Sequence, residues 1–361
     1  MPKALHAGFF VALILSALAA ASGASPEDAE ALIRDGHWKR ARALVEPEIK
    51  AHPDDPRFSY LMAEIKAAFQ DFQGALPLAQ LAADLEPKNS DYHLKLGQVY
   101  GELAARASMF AAGSLAGKFR KEVETARELN PKNLAALDSM MQFKYQAPGL
   151  MGGDKHTARA MADEILRLNP LQGYLAHAEL AELEKNPAEV EANYKKAVGA
   201  DPKSYDAETL LAKYYASSDE SKLGLAIPPA QQALGSDPAR GQAYGILARV
   251  YALQHRWDDL QSLLSKADTN APEDLVAYYD AALALLVSGQ ELSRAEAYAR
   301  KYLTQESEGE EPDAADGHRV LALIFDMEGR TADAQAEIQK ALQLRPNFRA
   351  AKEDAKRLGK R

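Results

Sequence analysis

Two glycine-rich stretches, eight histidines and adjacent carboxylates such as Glu310-Glu311 and Asp258-Asp259 are where this sequence could do chemistry. The stretch "GSLAGKF" (113–119) looks like a phosphate-binding loop, in which backbone N–H groups and a lysine surround a phosphate chain. That chemistry needs four residues between the glycines and a Ser or Thr after the lysine to hold magnesium. Here three residues separate Gly113 from Gly117, and Phe119 follows Lys118. A second stretch, "QAPGLMGGDKHTARA" (146–160), sets Gly152 and Gly153 before a helix, where free N–H groups can gather an anion. Asp154, however, stands at the capping position and takes up those same N–H groups. The expected reading is an enlarged turn: Pro148 stops one helix, both glycines allow positive φ, and Asp154 starts the next. Leu150 and Met151 are its candidate contact residues.

The histidines fall in no short metal-ligand spacing. Glu310-Glu311 and Asp258-Asp259 could be imagined as acid and base, but they fall in a loop and at a helix start, where carboxylates favour the dipole. No G-x-S-x-G nucleophile motif occurs. With no cysteine, the chain has no disulfide, thiolate metal site or cysteine nucleophile. These residues predict no enzyme, no metal and no cofactor. A net charge of -9 with mixed signs lacks the basic footprint of a nucleic-acid binder.

The N-terminus reads as an address. Lys3 precedes an apolar run from Gly8 to Ala21, and Ser22-Gly23-Ala24 supplies small residues for cleavage after Ala24. The run is short beside the roughly 20 residues of a membrane span. Residues 1–24 are therefore expected to be a signal peptide, and the remainder periplasmic or otherwise exported, without stable membrane insertion.

The elements that would position any site follow from a repeat. Prolines at 53, 87, 131, 170, 202, 238, 272, 312 and 346 close successive segments, spaced 34, 44, 39, 32, 36, 34, 40 and 34 residues apart. Each segment carries apolar residues at three- and four-residue spacing over two stretches, which predicts two amphipathic helices. In the last unit, counted from Ala315, small residues at positions 8, 20 and 27 (Ala322, Ala334, Ala341) let the helices approach closely. Ala341→Leu should overpack that hairpin, and Ala315→Leu should be nearly neutral. One hairpin cannot bury both faces, so the units must stack into a solenoid. About nine units fill residues 25–348, with insertions near 105–117 and 146–156, and the basic segment 349–361 reads as a capping helix.

Leu321, Ala322, Phe325, Gly329, Ala334, Ala341 and Pro346 match the tetratricopeptide pattern, and earlier units repeat it with drift. The chain thus resembles the tetratricopeptide-repeat family. Its aPxxxGG turn resembles a group of exported bacterial members and, more loosely, the repeat subunit associated with tripartite ATP-independent periplasmic transporters. The resemblance implies an all-α, right-handed superhelical solenoid whose first helices line a concave groove for a protein or peptide partner. In that register the groove candidates are Arg57, Tyr60, Asp138, Gln142, Tyr145, Lys213, Arg249, Tyr279 and Arg319. The family's Lys/Asn carboxylate clamp is not reproduced, so capture of an acidic C-terminal tail is not expected. The leading expectation is a non-enzymatic scaffold for envelope assembly or secretion. The alternative is a ligand-handling or transporter-associated subunit, which would need a closed apolar pocket of about 300–1,000 Å³ for a small molecule.

Overall fold

The computed structural model describes residues 25–218, 220–309 and 312–359. The expected signal peptide and the Glu310-Glu311 pair lie outside these. Within them the chain is a succession of α-helices paired into nine hairpins. Unit one is α1 (Pro26–Arg34) with α2 (Trp38–Ala51), unit two α3 (Pro56–Ala68) with α4 (Phe72–Leu85), and unit three α5 (Ser90–Arg106) with α6 (Met109–Leu129). Unit four is α7 (Leu134–Gln146) with α8 (Lys155–Leu168), unit five α9 (Pro170–Leu183) with α10 (Pro187–Ala200), and unit six α11 (Tyr205–Ala216) with α12 (Ile227–Ser236). Units seven to nine pair α13 (Gln242–Leu253) with α14 (Trp257–Asn270), α15 (Val276–Ser288) with α16 (Leu292–Tyr302), and α17 (Ala314–Met327) with α18 (Thr331–Leu344). A last helix, α19 (Arg349–Leu358), covers the open end, burying Ala351 and Leu358.

The repeat alanines are the seams of these hairpins. Ala63, Ala75 and Ala82 in unit two, and Ala322, Ala334 and Ala341 in unit nine, are fully buried. Ala315 is buried too, at 1% exposure, so the expectation that a leucine there would be harmless is wrong: position 1 faces the neighbouring unit. The core has no single centre. It runs as overlapping clusters, with Tyr60 and Leu78 shared between the first two and Phe119 between the next two, as expected where each unit contacts its neighbours.

Position 15, between the two helices of a unit, adopts the left-handed conformation in units one, two, five, seven, eight and nine: Gly36, Gln70, Lys185, His255, Gly289 and Gly329. That residue turns the chain tightly from one helix into the next. Units three, four and six, which lack it among the described residues, have altered turns. In unit three the extra residues lengthen the helices, to 17 and 21 residues. The "GSLAGKF" stretch lies wholly within α6, with Gly113 and Gly117 facing open space, so it forms no loop around a phosphate.

In unit four the extra residues form the 146–154 turn. A 3₁₀ turn (Gly149–Met151) leads to Gly152 at φ +95°. Asp154 caps α8, accepting from the N–H groups of His156 (2.9 Å) and Thr157 (3.2 Å). Gly153 differs from expectation: its φ is not positive, and glycine is needed there because an added Cβ would lie 1.8 Å from the carbonyl oxygen of Ala147.

Candidate functional site

The first helices of units two to four line a cavity of about 760 Å³, open along the groove. The two insertions converge on it. Ala116 and Phe119 of the lengthened α6, and Pro148 and Met151 of the unit-four turn, form its far wall. Phe119 packs on Phe143 with ring centroids 5.4 Å apart. The turn is fastened in place by Lys144, whose Nζ donates to the Gly152 carbonyl (2.9 Å) while its own carbonyl accepts from the Asp154 N–H (2.7 Å). Met151 therefore lines the cavity, whereas Leu150 points away and is 93% exposed.

Three polar lining residues, Glu64, Gln98 and Gln142, share one register, and Glu179, outside the lining, continues it. Counting Pro56, Ser90, Leu134 and Leu171 as position 1 of units two to five, position 9 is Glu64, Gln98, Gln142 and Glu179. Glu64 pairs with Lys95 at 3.1 Å. Gln98 donates to the Ser139 hydroxyl at 3.3 Å. Gln142 donates to Asp138 at 2.9 Å and to Glu179 at 3.2 Å, joining two units through one amide. Burial raises the pKa of Asp138. Burial, and then the nearby Asp138 charge, raises Glu179 to about 7. Farther along, Lys213 and Arg249 continue position 9, and Arg249 Nε is buried with no hydrogen-bond partner. Asp280 of α15 is raised to about 6 by burial, with Arg249 opposing that rise.

Of the candidates read from the sequence, the structure brings Asp138, Gln142 and Met151 together at this cavity and places the others elsewhere. Arg57 pairs with Asp55 (2.7 Å) at the turn between units one and two. Tyr60 packs on Tyr92, ring centroids 5.0 Å apart, and burial raises its pKa. Tyr145 belongs to the core, with the Lys155 ammonium 4.4 Å from its ring centre. Tyr279 packs against Tyr302 with tilted rings, centroids 5.2 Å apart. Arg319 is bound to Asp354 of α19 at 2.7 Å, serving the end cap. Lys213 lines a second cavity of about 330 Å³, against unit one.

Lys95, Ser139 and Glu179 were missed. Positions 6 and 13 (Lys95 and Ser139; Ala68, Glu102 and Gln146) line the cavity together with position 9. Helical side chains lean toward the N-terminus, so a given patch is covered by a residue about one position further on. That lean, applied to the expected register, would have found Lys95 and Ser139, whereas Glu179 already stood at position 9 of that register.

The tetratricopeptide repeat family model matches residues 27–90 and 279–347. No curated protein matches the chain in sequence. Among solved structures, yeast Tom70 is similar over 92% of this chain and 80% of its own, at 13% identity and a TM-score of 0.54. A tetratricopeptide repeat protein from Parabacteroides merdae is 16% identical, covering 73% of this chain and 98% of its own, with a TM-score of 0.47. A thermophilic protein of the same repeat from Thermus thermophilus is 21% identical, covering 53% of this chain and 98% of its own, at 0.46. At 13% identity the likeness to Tom70 is one of fold. The tetratricopeptide repeat is thus matched toward both ends of the chain, over residues 27–90 and 279–347, and the same helical hairpin recurs across the described residues between them.

Proposed function

We propose that the chain is an exported, non-enzymatic scaffold that holds an extended segment of a partner protein in its groove, as an adaptor in envelope assembly or secretion. The observation that supports this most is the cavity at units two to four: it opens along the groove and is lined by side chains from those three successive units, together with Trp38 of unit one. An extended segment can run past several such units, taking hydrogen bonds from the position-9 row. Asp138 and Glu179 share the neutral Gln142 amide and have no cationic partner among the described residues, whereas Glu64 has Lys95. The segment that fits carries a Lys or Arg at this point, flanked by apolar residues to meet Phe119, Phe143 and Met151.

A second reading, a small-molecule carrier, draws on the volume, which lies in the range of about 300–1,000 Å³ typical of ligand sites. The open mouth and the charged lining favour the protein segment.

The test is a peptide array probed with the purified chain, followed by titration of the selected peptides against the Asp138→Asn/Glu179→Gln variant. Selection of peptides pairing a basic with an apolar residue, with binding lost in the variant, is the expected result. Binding unaffected by the variant would place the partner elsewhere, and native mass spectrometry showing a retained small molecule would favour the carrier. Export is tested by N-terminal sequencing of the mature protein, which should begin at Ser25.

A further inference from the structure

Unit one touches the far end of its own solenoid. The backbone N–H of Lys39 donates to the Glu308 carboxylate at 2.9 Å, and its ammonium, 3.2 Å from the same carboxylate, also donates to the Glu306 carbonyl at 2.8 Å. Arg40 pairs with Glu273 at 2.7 Å, and Arg42 forms a two-pronged pair with Glu306. The Trp38 indole lies close against Gly309, whose φ is +84° and where a Cβ would lie 2.7 Å from the ring. The partners are separated by 233 to 271 residues in sequence.

Repeat packing does not require any of this, because a solenoid is held together by neighbour-to-neighbour contacts. Two departures from the plain repeat make it. One is a run of three cations on α2, Lys39, Arg40 and Arg42. The other is the lengthened connection between α16 and α17, where the closing prolines Pro272 and Pro312 stand 40 residues apart. That connection supplies Glu306 and Glu308, and the turn before α15 supplies Glu273. The charges match three against three, and Lys39 and Glu308 are both largely withdrawn from water, with side chains 17% and 6% exposed. A withdrawn pair of this kind holds only while both partners are present, since a lone buried charge is strongly unfavourable. The Arg40 and Arg42 pairs are exposed and therefore weakened by salt.

We propose that these contacts are a latch that closes the superhelix on itself. Closed, it leaves the groove accessible from its open rims. Released, it lets the first units swing away and admits a segment from the side. The latch stands on its own contacts and does not depend on what occupies the groove.

The absence of cysteine makes the test direct. Spin labels on Ala43→Cys and Thr304→Cys, both exposed and outside the latch, report the distance across it by pulsed electron paramagnetic resonance. The otherwise unchanged chain should give one narrow distance distribution at low salt. Arg42→Glu on one side, or Glu306→Gln on the other, should lengthen and broaden it at unchanged helix content, and Arg42→Glu/Glu306→Arg should restore it. A broad distribution in the unchanged chain would overturn the latch, as would a narrow one that neither single variant alters.

Discussion

The side-chain amide of Gln142 reaches from α7 to the carboxylate of Glu179 on α9, 3.2 Å away, while also holding Asp138. Glu179 titrates near 7 in the folded chain against an ordinary value of 4.5, because burial and the Asp138 charge both penalise its ionised form. Between those values the folded state keeps a proton that the unfolded state has released, so this group's contribution to stability falls as pH rises through that window. Glu179→Gln should therefore raise the melting temperature at pH 8, with the gain disappearing at pH 4 to 5. A shift of equal size at every pH would show that the ionised carboxylate is not the cause.

The same titration sets the pH dependence of binding. A Lys- or Arg-bearing segment is attracted to the ionised form of Glu179, which predominates above about 7. Its affinity should rise about tenfold or less from pH 6 to pH 8, within the 1.4 kcal/mol scale of a single coupled proton. Asp138→Asn/Glu179→Gln should flatten that profile. Calorimetric titration at three pH values measures both, and affinity that fell with rising pH would contradict a cationic partner.

Overpacking tests the hairpin seams. Ala341 is fully buried between α17 and α18, whereas Ala336 on the same helix is exposed. Ala341→Leu should cost about 1–3 kcal/mol, and Ala336→Leu, which meets only solvent, should leave the denaturant midpoint in place. Equal effects would mean that the helix faces are assigned wrongly.

The hairpins were legible because each must bury the same seam, so small residues and closing prolines recur at fixed spacing. Position 9 was legible for the same reason, and it carries Gln142, Lys213 and Arg249. Aromatic residues in the expected groove register misled. Tyr60 and Tyr145 offer large apolar area, and between stacked units that area is buried against Tyr92 and the unit-four core in preference to lining an open groove. Arg319 misled because a terminal unit has a cap to hold. The contact of Lys39 with Glu308 had no local signal at all, since it arises from rotations summed over the intervening units.

The unit-four turn makes two different demands on adjacent glycines. Gly152 needs the left-handed conformation, so Gly152→Ala should cost about 1–2 kcal/mol. At Gly153 an added methyl would meet the Ala147 backbone carbonyl, which ends α7 and cannot rotate away. Gly153→Ala should therefore cost more than Gly152→Ala and displace Met151 from the cavity wall, weakening peptide binding as well as lowering the melting temperature. If Gly152→Ala proves the more damaging, the close approach at Gly153 is not the governing contact.

Position 15 yields a stabilising change. Lys185 holds φ at +56° with its side chain exposed, a conformation in which a β-carbon is crowded by the carbonyl that follows. Lys185→Gly removes that crowding, a gain of about 1–2 kcal/mol, offset by the roughly 0.5–1 kcal/mol that glycine's greater freedom costs on folding. The net expectation is a modest rise in the urea midpoint with an unchanged slope. His255 stands at the same position with φ +55°, but its ring lies 5.3 Å from that of Trp257. His255→Gly forfeits that contact along with the crowding, so it should gain less than Lys185→Gly. If His255→Gly stabilised as much or more, the ring contact would contribute nothing to the unit-seven turn.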